Sequence, residues 1–204
     1  MEAKRHRERA LDIARERGVA RGSDFDAAGV PRVYLQRMAA QGTLIQIGRG
    51  LYRLPDVNAA AAASLAEASR IQPKGVICLL SALQYHELTT QTPHAVWMLL
   101  GLKDWAPVNP AVQIKVVRAS GSALHEGVEK HEIDKVMVPI TSPAKTVADC
   151  FKYRNKIGVD VAIEALQDLM RRPQRRRPPV EDIWRYARLD RVQAVIRPYL
   201  EALT

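Results

Sequence analysis

The sequence predicts an α+β chain. An N-terminal helix, turn, helix and β-hairpin fill residues 1–57, and a mixed α/β region with a small sheet and a helical tail fills 58–204. Three observations carry this. Arg21 to Pro55 (RGSDFDAAGVPRVYLQRMAAQGTLIQIGRGLYRLP) places two short helical patterns on either side of Gly29 and two apolar runs on either side of Gly48-Arg49-Gly50. The middle of the chain alternates apolar strand-length runs with amphipathic helical ones. The tail is helical after a proline-studded basic connector, Arg171 to Pro179.

Each element has a local cause. Residues 3–17 carry a thin apolar stripe (Ala3, Ala10, Leu11, Ala14) among basic side chains that are expected to be mostly solvated, with a minority touching phosphate. Ser23 is expected to cap the next helix, with Asp26 as the reciprocal half of a capping box. Gly29 suits the positive φ that ends it, and Pro31 suits the first turn of the helix that follows. In that helix, Pro31 to Ala40, the spacing turns Leu35, Met38 and Ala39 to the core and leaves Val33 and Arg37 outside, with Tyr34, Gln36 and Gln41 at the flanks. Leu44–Ile47 and Leu51–Leu54 read as strands joined by a tip bearing Arg49.

Asp56 to Asn58 read as a linker, and Ala59 to Ala68 as a helix on propensity. Val76 to Leu88 is expected to be an apolar helix, in which His86 reads as a packed or rim histidine. Strands are expected at 95–100, 112–118, 129–134 and 136–140, and helices from Ser142-Pro143 and over 159–170. The segment 180–203 is helical, with Pro198 expected to kink or divide it. No internal repeat is visible.

Charge is unevenly placed. The net of +9 is made of +5 in residues 1–55, −1 in 56–169 and +5 in 170–204. Positive ends with a neutral centre suit a nucleic-acid partner, because phosphate contacts supply most non-specific affinity. The five arginines and three prolines of 171–179 form no packed core and serve either as a phosphate-binding segment or as a solvated linker. Cys78 and Cys150 stand far apart in apolar patterns and read as buried free thiols. The N-terminus lacks the apolar stretch of a secretory signal, and no run reaches the ~20 residues of a membrane helix, so the chain is expected to be cytoplasmic.

Helix, turn, helix and hairpin in this order describe a winged helix-turn-helix, which offers one helix and one hairpin to duplex DNA. The competing reading is a plain helical hairpin with a solvated basic face. On the DNA reading, Val33 and Arg37 are the expected base-edge contacts. Arg32, Tyr34 and Gln36 would contact bases or phosphates, and Arg49 would reach phosphate or a minor groove.

Catalytic motifs are absent: there is no phosphate-binding glycine loop, dinucleotide fingerprint, HExxH or Gly-x-Ser-x-Gly. His125 and His131 lie near Glu126, Glu129 and Glu132 without fixed ligand spacing, so no metal, cofactor or enzymatic activity is expected. One rival remains. Asp104 followed by Gln113-Ile114-Lys115 resembles the acidic-x-Lys arrangement of metal-dependent nucleases, with a neutral amide where Mg²⁺ would need an anion. A second rival is an interaction module whose C-terminal part binds a protein.

The residues as a set resemble AbiEi-type antitoxins. Gly29, Arg32, Leu35, Gly42, Leu44, Gly48 to Tyr52 and Leu54-Pro55 look like their winged-helix part. Ser81-Ala82-Leu83, Leu88, Pro93, Val138 to Pro143 and Lys145 to Asp149 look like their C-terminal part. The resemblance implies an N-terminal domain that binds inverted repeats upstream of its own operon and represses it. It also implies a C-terminal domain that counters a nucleotidyltransferase-like toxin without a stable complex. Lys145 and Asp149 match family positions, with an inter-helix salt bridge and a part in toxin control both open as their role.

Overall fold

The computed structural model describes residues 2–54, 61–107, 112–173 and 178–203. The expected linker 56–58 and the middle of the basic connector, 174–177, lie outside them. Packing divides the chain into two compact units. The first is Met1–Pro73 with Pro107–Ile114 and His131–Val138, and the second is Lys74–Ala106 with Lys115–Lys130 and Pro139–Thr204.

In the first unit α1 (Glu2–Arg17) leads into β1 (Val19–Arg21), α2 (Gly22–Ala27), α3 (Arg32–Ala40), β2 (Ile45–Gly48), β3 (Leu51–Arg53) and α4 (Ala61–Ile71). The three strands form an antiparallel sheet in the order β1-β3-β2, with Ala20 opposite Tyr52 and Gln46 opposite Tyr52 on the other side. β1 was not expected from the sequence. The register of β2 slips between Gln46 and Gly48, as a bulge does. Ala10 and Ala14 of the thin stripe are buried against Ala20, Phe25, Leu35, Met38 and Leu44, and small residues let the helix approach closely. Val19, Ile47 and Leu51 make a second cluster with Ile71. The buried Glu67 pairs with Arg53, tying α4 to β3; burial nonetheless raises its carboxyl above the usual range.

The helix start differs from expectation. Arg21, not Ser23, stands at the N-cap of α2, and its N–H donates to Asp24 Oδ2 at 2.7 Å, while Ser23 is exposed. Asp26, expected in a capping box, binds Arg32 instead.

The second unit holds most of a five-stranded sheet in the order β6-β5-β4-β8-β7. Its strands are β4 (Val76–Ile77), β5 (Val96–Gly101), β6 (Ile114–Ala119), β7 (Val128–Ile133) and β8 (Val136–Thr141). β4 runs antiparallel to β5 and parallel to β8, with Ile77 opposite Ile140. The run expected to be one helix over 76–88 is therefore strand β4, then α5 (Leu79–Tyr85). Two β-branched residues extend into the sheet, and the Cys78 N–H donates to the Trp97 carbonyl before the helix begins. Gly75 permits this: a Cβ there would overlap the side chain of Met98. Ser81 accepts from the Trp97 N–H at 3.0 Å, and His86 Nε2 donates to the Thr141 carbonyl at 2.7 Å.

The remaining helices are α6 (Ser122–His125), α7 (Pro143–Lys152), α8 (Arg154–Ile157), α9 (Val159–Arg171), α10 (Val180–Leu189) and α11 (Gln193–Glu201). Ser142 caps α7 and Pro143 opens it, as expected. Every residue from Ala144 to Phe151 is buried, so α7 is the central helix of this unit, against α5, α9, α10 and α11. The tail divides at Asp190–Val192 rather than at Pro198, which lies inside α11. The carbonyl that Pro198 leaves without a helical donor belongs to Ala194, which is exposed to solvent. Cys78 and Cys150 are buried free thiols.

Candidate nucleic-acid interface

The turn between α2 and α3 is closed by two backbone bonds. The Gly29 N–H donates to the Asp26 carbonyl, and the Val30 N–H reaches back to the Phe25 carbonyl. This double bond pattern requires positive φ at its penultimate residue, and Gly29 has φ +72°. Val30 is thereby buried beside Phe25, and α3 leaves the turn with its outer face free of the core.

On that outer face Val33 is 57% exposed. Gln36 and Arg37 are exposed, and the Arg37 guanidinium lies 5.8 Å from the Tyr34 ring centroid. Tyr34 is half-buried, with its ring 5.0 Å from that of His6. Arg32 is held by Asp26, with Nη2 to Oδ2 at 2.8 Å. The pairing holds the Asp26 carboxyl below its ordinary value and the Arg32 guanidinium above its own. The pair is exposed and contributes little to stability, but it fixes the direction of one guanidinium.

Arg49 stands exposed at the hairpin tip, and the Gly22 N–H donates to the Gly50 carbonyl at 2.7 Å, anchoring the tip to the start of α2. Between helix and hairpin lies a cleft of about 520 Å³. Arg32, Gln36 and Arg49 line it together, joined by Arg21 and Gln46, which no sequence motif marked, and by Ser23, which was expected only as a helix cap. Gln46 faces outward in an alternating strand, a signal that was available. Val33, Tyr34 and Arg37 do not line the cleft and belong to the adjoining convex face of α3.

The residues of the nuclease rival are engaged otherwise. Asp104 Oδ2 accepts from the Gly101 N–H at 3.1 Å and its Oδ1 pairs with Lys74 at 3.3 Å, while the Lys115 ammonium sits 5.2 Å from the Trp97 ring centroid. Gln113 is exposed. Among the described residues no group of three or more His, Cys, Asp or Glu is placed to hold a metal ion, and no helix is long and apolar enough to cross a membrane.

The second unit carries a buried charge network on α7. Lys145 Nζ donates to Asp149 one turn on and to Asp190 Oδ2 at 3.2 Å, and Lys152 Nζ donates to Asp190 Oδ1 at 2.9 Å. Lys145, Asp149 and Asp190 are all buried. Among the described residues Asp149 Oδ2 has no hydrogen-bond partner, and burial pushes its carboxyl up to about 8, with Lys145 opposing the rise and the Asp190 charge adding to it. The two lysines hold Asp190 below the usual carboxylate range against its burial. The resemblance to known proteins singled out Lys145 and Asp149. The inter-helix half of the network runs through Asp190, at the C-terminal end of α10, which no motif marked.

Two helices joined by a tight turn beside a hairpin bearing Arg49, and a mixed sheet with a central charged helix, define a two-unit chain of mixed α and β structure. Residues 8–55 match the family described as transcriptional regulator, AbiEi antitoxin, which supports the resemblance read from the sequence. No curated protein matches the chain. Its fold is similar to the crystal structure of the RV2827C protein from Mycobacterium tuberculosis, at a TM-score of 0.58 and 14% identity over 91% of this chain and 75% of that one. Identity that low speaks to fold alone.

Proposed function

We propose that the chain is a cytoplasmic, non-enzymatic DNA-binding repressor of the AbiEi antitoxin type. Residues 1–57 form a winged helix-turn-helix that binds operator DNA, as inverted repeats upstream of its own operon, and represses transcription. Residues 58–204 counter a nucleotidyltransferase-like toxin without a stable complex. The observation that carries the DNA-binding half is the outer face of α3, where Val33, Gln36 and Arg37 stand exposed beside a hairpin bearing Arg49. The family match over 8–55 supports the regulatory half.

In this reading the α3 helix enters the major groove. Val33 contacts a thymine methyl or other apolar edge, and Arg37 donates to a base edge. Arg32, oriented by Asp26, and Gln36 and Tyr34 position the helix against phosphates or bases, and Arg49 follows the backbone or the minor groove. The Arg37→Ala variant tests it. Loss of about 1–3 kcal/mol on the preferred site with little loss on a scrambled duplex marks a base contact. Equal loss on both duplexes assigns Arg37 to phosphate, and no loss on either overturns the placement of α3.

A further inference from the structure

We propose that the groove between α10 and α11 is a nucleotide-binding site, with the base on Trp184 and the phosphates on Arg188, Arg191 and Arg197. The spacing sets one face of each helix toward the other. On α10 Glu181, Trp184 and Arg188 follow at i, i+3 and i+7, and on α11 Gln193, Arg197 and Glu201 follow at i, i+4 and i+8. These six residues line one cleft of about 360 Å³. An adjoining cleft of about 550 Å³ at the turn end is lined by Arg188, Arg191 and Arg197 with Gln193 and Ala194, and by no carboxylate.

The groove is therefore graded, with an aromatic side chain and two glutamates at one end and three guanidinium groups at the other. The neighbouring acid, Asp190, is buried and committed to Lys145 and Lys152. The Arg188 and Arg191 guanidinium groups have no hydrogen-bond or ion-pair partner among the described residues, and Arg197 has only a long contact of 3.9 Å to Glu201. Three like charges around one concavity repel one another until an anion joins them, and guanidinium groups match phosphate oxygens in fork geometry. Trp184 is half-buried against the core and also lines the groove, where an aromatic ring is a platform on which a base stacks. Glu181 at that end is an acceptor for a base amino group.

The backbone places Arg191 at the turn between the two helices. The α10 helix ends as α2 does: the Arg191 N–H donates to the Arg188 carbonyl and the Val192 N–H to the Ala187 carbonyl. The position of positive φ, which glycine fills after α2, is filled here by Arg191 at φ +59°. An arginine in the left-handed region is strained relative to glycine, so the fold gains nothing locally from the side chain that stands there. Arg191 lines the turn-end cleft together with Arg188 and Arg197.

The test is a titration of the full chain followed by tryptophan fluorescence, with ATP, inorganic pyrophosphate and a single-stranded oligonucleotide as probes. Saturable quenching by ATP is expected, lost in W184F and weakened about tenfold or more in Arg191→Gly, a variant whose backbone is relaxed and whose melting temperature should not fall. Lys130→Ala, at an exposed position outside both the groove and the α3 face, should bind all three probes as the parent does, which separates this site from a general effect of surface charge. ATP binding at least as tightly as the oligonucleotide identifies a free nucleotide as the ligand. Tighter oligonucleotide binding, lost in the same variants, identifies a nucleic-acid strand. Absence of saturable binding by either, ATP affinity unchanged in Arg191→Gly, or pyrophosphate binding as tightly as ATP overturns the proposal.

Discussion

Asp190→Asn tests the buried network, because Asp190 is its only carboxylate held strongly ionised. In the native protein it accepts from Lys145 and Lys152, at 3.2 and 2.9 Å. The amide is nearly isosteric, so the change removes charge without removing volume. Lys145 is then a buried cation whose remaining partner is Asp149, and Asp149 must ionise to serve it. Breaking one partner of a buried pair costs about 3–5 kcal/mol, a large share of the ~5–15 kcal/mol that holds a typical domain folded. The loss is read from urea unfolding followed by far-UV circular dichroism at pH 7, comparing midpoints at a common slope. The double variant Asp190→Asn/Lys145→Met removes cation and anion together and leaves Asp149 neutral. Lys152, part exposed, can turn its ammonium to water, so the double variant should recover most of the loss. A single-variant cost below about 1 kcal/mol, or a double variant no more stable than the single, would refute the assignment of Asp190 as the anion that holds Lys145 in the core.

The same network sets a pH dependence. Asp149 is raised from its ordinary 3.8 to about 8, so the stability it contributes is complete below 3.8 and is lost as pH rises through 8. Unfolding free energy should fall between pH 5 and 8 by at most about 1.4 kcal/mol per pH unit, and Asp149→Asn should flatten that slope; a rising slope in the parent refutes the burial argument. Asp190 works in the opposite sense, contributing above pH 3.8 and losing its contribution only as pH falls through its lowered value. In the sheet, Gly75→Ala should cost about 1–3 kcal/mol by forcing β4 from Met98, with part of the loss recovered by Met98→Ala; a cost within a few tenths would show that the strands can separate freely.

Punctuation made the first unit legible. Gly29, Pro31, Gly42 and the Gly48-Arg49-Gly50 tip bound short periodic runs, and the structure follows them, with Leu35 and Met38 buried and Val33 and Arg37 exposed. The third strand, Val19–Arg21, left no trace because three residues carry no period. Ser23 is a favoured capping residue, yet the carboxylate of Asp24 captured the Arg21 N–H and shifted the helix start. The apolar run 76–88 fits strand and helix equally by hydrophobicity, and the pairing of β4 with β5 and β8 decided between them. Asp190 and Arg191 were invisible for a different reason. The roles of both are set by residues brought near by folding, and Pro198 drew attention to the wrong point in the tail.

The most direct measurement is fluorescence anisotropy of the purified chain on its own upstream DNA and on a scrambled duplex across a salt series. Tight binding confined to the upstream DNA and persisting at moderate salt is the predicted result, because base contacts from α3 survive when phosphate contacts are screened. Equal, steeply salt-dependent binding to both duplexes would reduce the positive charge to general phosphate affinity and contradict the assignment of a sequence-reading repressor.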